Sequence, residues 1–152
     1  MNLAHLHLLI THLPIYGSLL GIIVLVYGIV SRSVQTRQAA YLVLLLSSVG
    51  AIIAFSTGES AEETVEHITG INKQLIETHE NAAKITLTAM ILTGISSLLG
   101  LFVSNKKNRY AKIILSIALI ISSIGFISAA YTGYLGGQIR HTEIHDHVKQ
   151  TI

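Results

Sequence analysis

The stretch LLITHLPIYGSLLGIIVLVYGIV, residues 8–30, contains no Asp, Glu, Lys or Arg. A bilayer's hydrocarbon core takes roughly 20 apolar residues to cross as a helix. Lipid offers no partner to a bare backbone amide, so a run of this kind must satisfy its own N–H and C=O groups and is read as a spanning helix. The opening MNLAHLHLLITHLP has neither a basic region nor a small-residue cleavage site. It is therefore expected to be retained rather than removed as a secretory leader.

Three further runs are long and apolar enough to cross, giving spans at roughly residues 8–30, 39–57, 82–103 and 111–135. The composition agrees: 51% of residues are hydrophobic, 12% are charged and the mean hydropathy is +0.61, values far from those of a soluble domain. The expected fold is a single all-α domain, an integral membrane four-helix bundle with an interfacial amphipathic segment between helices two and three. The chain has no cysteine, which removes disulfides and thiolate metal sites. A net charge of +2 is too small to suggest nucleic acid.

The connectors set the orientation. SRSVQTRQ carries Arg32 and Arg37, and SNKKNRYAK carries Lys106, Lys107, Arg109 and Lys112; neither carries an acid. With an even number of spans both loops lie on one side, which the positive-inside rule makes cytoplasmic. Both termini and the acidic connector then face outward. All eight carboxylates, and His5, His7, His12, His67, His79, His141, His145 and His147, fall on that outer side or just inside its boundary. Orientation needs only the basic loops, so the histidines ask for a separate reason.

The two halves of the chain echo each other. ITHLPIYGSLLG and ETHENAAKITL each place Thr-His at the start of a span, matching His12 with His79. AFSTGESAEETVEH and AAYTGYLGGQIRH each carry Thr-Gly followed by a histidine, matching His67 with His141. Parallel repeats of this kind place sites at their interface.

Several positions are candidates for chemistry. His5, His12 and Tyr16 are spaced by seven and four and share a helical face. His12, beside Pro14, is read as a ligand or proton carrier, and His5 and His7 as interfacial side chains reaching for headgroups. Helix three carries a stripe of Ala83, Thr86, Met90, Thr93, Gly94 and Ser97; helix four carries Ala118, Ser122, Gly125, Ala129, Thr132 and Gly136. Such stripes allow close helix approach and equally leave room for a flat cofactor. In the connector, Glu59, Glu63, Glu66 and His67 share one face of an amphipathic helix, with Glu62 beside them. Glu80 and Lys84 form an i,i+4 pair in the favourable order. The tail GGQIRHTEIHDH brings Arg140, suited to a carboxylate such as a haem propionate, together with His141 and Glu143.

At HLHLLITHLPIYG, TGESAEE, ETHENAA and GGQIRHTEI the chain resembles a family of small four-helix bacterial membrane proteins of unsettled function. It is similar, more distantly, to the DUF2231 predicted membrane proteins, in which a His-x-Pro pattern also opens helix one. Some of those are joined to Rieske-type iron–sulfur domains, which implies a redox setting. The resemblance implies a bacterial inner membrane location. Its motifs fall on His12, Pro14, Thr57, Gly58, Glu59, Ala61, Glu62, His79, Glu80, Gly137, Arg140, His141 and Glu143. This chain departs from the DUF2231 pattern in having no acidic residue within helix two.

Three functions follow as expectations. The first is a b-type cytochrome with haem b held by His12 and His79, or by His67 and His141, with Arg140 near the propionates. It would pass electrons to a quinone or an external carrier. The second is a non-haem zinc, iron or manganese site built from His12, His79 and His141 with Glu59, Glu62, Glu80 or Glu143. The third is a cofactor-free subunit of a larger respiratory complex. No nucleophile motif, phosphate-binding glycine loop or nucleic-acid signature is present.

Overall fold

The computed structural model describes residues 3–66, 73–106 and 109–140, the side chains of residues 60–66 and of Arg140 excepted. Among these residues the chain is helical apart from Thr11 and the turns at residues 31–33 and 104–106. Helix α1 covers Leu3–Ile10, a π-helical turn covers Leu13–Gly17, and α2 covers Ser18–Val30. Helices α3, Val34–Glu66, α4, Lys73–Val103, and α5, Arg109–Arg140, complete the order. The first two helices and their π turn make one rod, so the architecture is four rods, each long and apolar enough to cross a membrane. Each rod packs on its sequence neighbours, and α5 closes the ring against α2 and the π turn. The chain is an all-α, multi-pass membrane four-helix bundle.

The helices run longer than the apolar stretches alone suggested. At 1.5 Å per residue, the 33 residues of α3 extend about 50 Å, well beyond the roughly 30 Å hydrocarbon core. The acidic segment after helix two is, as far as Glu66, a continuation of α3. Gly58 and Ser60 do not break the helix, because nothing in TGESAEE supplies a proline or a capping turn.

Lipid-facing side chains are the large ones, including Ile23, Phe102, Ile120 and Ile127, all exposed on the bundle surface. The interior is built from Ser18, Ser47, Thr93, Ser97 and Ser122, each fully buried, around a smaller apolar cluster of Leu25, Ala40, Tyr41, Leu44 and Ala118. Hydrophobic burial does not drive helices together when the solvent is itself hydrocarbon; close packing of small residues does. Most buried hydroxyls return to a carbonyl of their own helix, as Ser47 Oγ does to Val43 O at 2.9 Å and Thr93 Oγ1 to Ala89 O at 2.9 Å. Their polarity is thereby satisfied locally while their small size lets the rods approach.

Rod one changes from α to π geometry at Pro14, which has no amide hydrogen to give. Around it the backbone widens into the π turn, and Ser18 Oγ donates to Pro14 O at 2.5 Å. No residue of α1 is buried.

Candidate functional site

A cavity of about 80 Å³ lies between all four rods towards the end where α1 begins. His7, Thr11, Pro14 and Ile15 line it from rod one, Ala51 and Ala54 from α3. His79, Ala83 and Thr86 line it from α4, and Ala129, Thr132 and Gly133 from α5. Apart from the two imidazoles its walls are mostly small.

His7 reaches the cavity because of its register. His7, Thr11, Pro14, Ser18, Gly21, Leu25 and Gly28 follow one another at spacings of four and three, the stripe that faces a partner helix. Ser18, Gly21, Leu25 and Gly28 are buried along it. His79, Ala83, Thr86, Met90, Thr93, Ser97 and Gly100 repeat the same spacing on α4. Both stripes end in a histidine at the same end of the bundle.

Each imidazole is held by the next helix. His7 Nδ1 lies 2.8 Å from Ala54 O, with Thr57 Oγ1 3.4 Å away. His79 Nδ1 lies 3.0 Å from Thr132 O. A carbonyl oxygen only accepts, so in both rings Nδ1 carries the proton and donates. Nε2 is then the nitrogen with the lone pair, and neither Nε2 has a hydrogen-bond partner among the described residues. This is the arrangement that orients metal-binding histidines, in which an outer carbonyl fixes the tautomer and leaves the opposite nitrogen to coordinate.

A glycine makes room for one of the rings: a Cβ on Gly136 would crowd His79 Cε1 at 3.1 Å, whereas one on Gly58 would meet His7 Cε1 at an ordinary 3.6 Å. Beneath His79, Thr86 Oγ1 lies 2.6 Å from Ser128 Oγ and 2.8 Å from Thr132 Oγ1, tying α4 to α5. Hydrogen bonds of this kind between membrane helices are each worth about 0.6 kcal/mol. Thr86→Val, which keeps the shape and removes both, is expected to lower stability by about 1 kcal/mol, read from unfolding in mixed micelles by circular dichroism.

The internal repeat becomes sharper at this site. Residues 47–58, SSVGAIIAFSTG, and 122–133, SSIGFISAAYTG, align at Ser47/Ser122, Gly50/Gly125, Ala54/Ala129, Thr57/Thr132 and Gly58/Gly133. In each half a histidine from the first rod donates to a carbonyl of the second rod, Ala54 O in one and Thr132 O in the other, positions one helical turn apart in this alignment. The first rods match through His7 and His79, rather than through His12 and His79.

The remaining candidates lie apart. His12 sits on the outside of rod one, its ring stacked on exposed Tyr16 at 6.1 Å between centroids and 12° between planes. Its Nδ1 donates to Leu8 O at 3.2 Å within its own rod. The expected face of His12 and Tyr16 is real, but it points away from the bundle. Glu59 is exposed at the end of the α3 span. Glu80 is exposed and paired with Lys84 at 3.3 Å, as its spacing suggested. The side chains of Glu62 and Arg140, and all of His67, His141 and Glu143, lie outside the described residues. Among the described residues no group of three or more His, Asp or Glu is placed to share a metal ion.

Fold and cavity together define the class: an all-α, four-rod membrane bundle with two imidazoles, His7 of rod one and His79 of α4, at one cavity between the rods. No protein-family model, curated protein or solved structure matches the chain.

Proposed function

We propose that the chain is a membrane b-type cytochrome-like electron carrier whose haem iron is held by His7 and His79. The observation that carries this reading is the pair of imidazoles on opposed rods, each with Nδ1 tied to a carbonyl and Nε2 unpartnered. Haem brings four nitrogens of its own and asks the protein for two axial ligands. A bare zinc, iron or manganese ion asks for a third and fourth protein ligand, and the described carboxylates nearest in sequence, Glu59 and Glu80, are exposed away from the cavity. Two imidazoles face the cavity from the described residues, the number that haem asks for.

The fit has one condition. A cavity of about 80 Å³ is much smaller than a porphyrin, so binding requires rod one and α4 to part. The residues allow it, because α1 buries no side chain and meets the rest of its rod at the π turn around Pro14. Ala51, Ala54, Ala83, Ala129 and Gly133 are the small part of the wall that would flank the ring, and Ile15, Phe55 and Leu87 the bulky part that would have to turn aside.

The resemblance to DUF2231 proteins supports a redox setting, with a quinone or external carrier as partner, within or beside a larger respiratory complex. The basic loops support an inner-membrane orientation with both termini outside. The test is the reduced-minus-oxidised visible spectrum of the protein purified in mild detergent, with metal analysis of the same sample. Iron at one equivalent with a sharp α band is the expected result. Stoichiometric metal without that band points instead to the zinc, iron or manganese reading. Absence of both leaves the polar network as the interior of a cofactor-free subunit.

A further inference from the structure

We propose a second binding site, for a phosphate group, at the opposite end of the bundle. A cavity of about 430 Å³ opens there, lined by Arg32, Arg37, Lys106 and Lys112 with Tyr41 and Ser104. No acid balances these cations: every Asp and Glu of the chain lies between Glu59 and Glu80 or beyond Arg140, at the other end of the rods. The ion pair seen among the described residues, Lys84 with Glu80, is also at that other end.

Two details separate this cavity from an ordinary basic loop. Arg37 lines the cavity, and its Nε is buried without a hydrogen-bond partner among the described residues, so the protein leaves part of this guanidinium unsatisfied at a cost. Arg37 is held there by its stem, for a Cβ on Gly28 would lie 2.8 Å from Arg37 Cγ and 2.9 Å from its backbone nitrogen. Arg32 has φ of 53° in the turn after α2. That left-handed position is ordinarily glycine's at a helix C-terminus, so the arginine there strains the backbone. Strain of this kind collects at ligand clamps. Ser104, which accepts from Gln38 Nε2 at 3.0 Å, joins α3 to the end of α4 and closes the wall.

Guanidinium and ammonium groups converging without an acid match a phosphate oxyanion. Basic pockets between membrane helices take the headgroups of anionic lipids, and a soluble phosphate has the same chemistry. The site is independent of the haem reading.

The test uses the full chain, delipidated in neutral detergent. Its thermal unfolding midpoint is followed against phosphatidic acid in mixed micelles, phosphatidylcholine at equal mole fraction, and sodium phosphate at matched ionic strength. A saturable rise with phosphatidic acid, and none with phosphatidylcholine, is expected for a lipid phosphate. The same saturable rise with sodium phosphate alone also supports the site and identifies a soluble source. No saturable rise with either anion overturns the proposal. Arg37→Gln is expected to weaken the response roughly tenfold. Arg32→Gly relieves the backbone while removing a charge, so the unliganded protein should melt no lower than wild type and yet bind more weakly. If Arg32→Gly and Lys112→Gln both bind like the wild type, the cavity is not the site. Lys84→Gln, at the far end, is the control and should bind normally.

Discussion

His7→Ala and His79→Ala should each abolish the α band of the reduced protein, whereas His12→Ala should leave it in place. Removing the partner that merely orients a metal-binding imidazole costs about 10–100-fold in affinity, and removing the imidazole itself should cost no less. Purified variants are therefore expected to lose most of their haem. The prediction discriminates because His7 and His12 are five residues apart on one rod and equally near the chain's start. A general effect of damaging that rod would strike both. Only the geometry in which His7 Nδ1 is held by Ala54 O while His12 stacks on Tyr16 outside separates them. Added imidazole should restore a low-spin spectrum to His79→Ala, since the space left by the ring opens on the same cavity. Retention of the wild-type spectrum by both His7→Ala and His79→Ala would sink the assignment.

The contrast between His7 and His12 also shows where sequence reasoning reaches and where it stops. The four rods were legible because lipid leaves an apolar run of this length no conformation but a helix. The stripes on α4 and α5 were legible too: Thr86, Met90, Thr93, Gly94 and Ser97 are buried, as are Ala118, Ser122, Gly125 and Ala129. On rod one two registers competed. His5, His12 and Tyr16 keep helical spacing, and so do His7, Thr11 and Pro14. A polar face in a membrane usually turns inward, which favoured the first. The deciding signal was further along the rod. Ser18, Gly21 and Gly28 form the small-residue seam, and only the His7 register runs into it. Tyr16 and His12, at the end of the rod, can instead face outward where headgroups and water are close. The connector's helical start was legible in part: a helix already in progress continues at little cost until a breaker stops it, and α3 runs unbroken to Glu66.

The seam between α3 and α4 yields the other large effect. Gly100→Ala should destabilise the bundle by about 2 kcal/mol, although glycine to alanine inside an exposed helix ordinarily stabilises by about 1 kcal/mol. The sign reverses because a Cβ at Gly100 would overlap the ring of Tyr41. That ring is 2% exposed and packed against Leu25, Leu44 and Ala118, so it can yield only towards the basic cavity that it lines, at the expense of that packing. The opposite case is in the same molecule: nothing lies within 4 Å of the position a Cβ would take on Gly137. Gly137→Ala is accordingly expected to be neutral or slightly stabilising. Unfolding in mixed micelles, followed by circular dichroism, reads both. A double-mutant cycle with Tyr41→Leu assigns the cause, because shortening the ring makes room for the methyl group and should recover most of the loss made by Gly100→Ala. If the two substitutions simply add, the overlap with Tyr41 is not what fixes the distance between these rods. The small-residue seam that brings His79 within reach of His7's cavity would then need another origin.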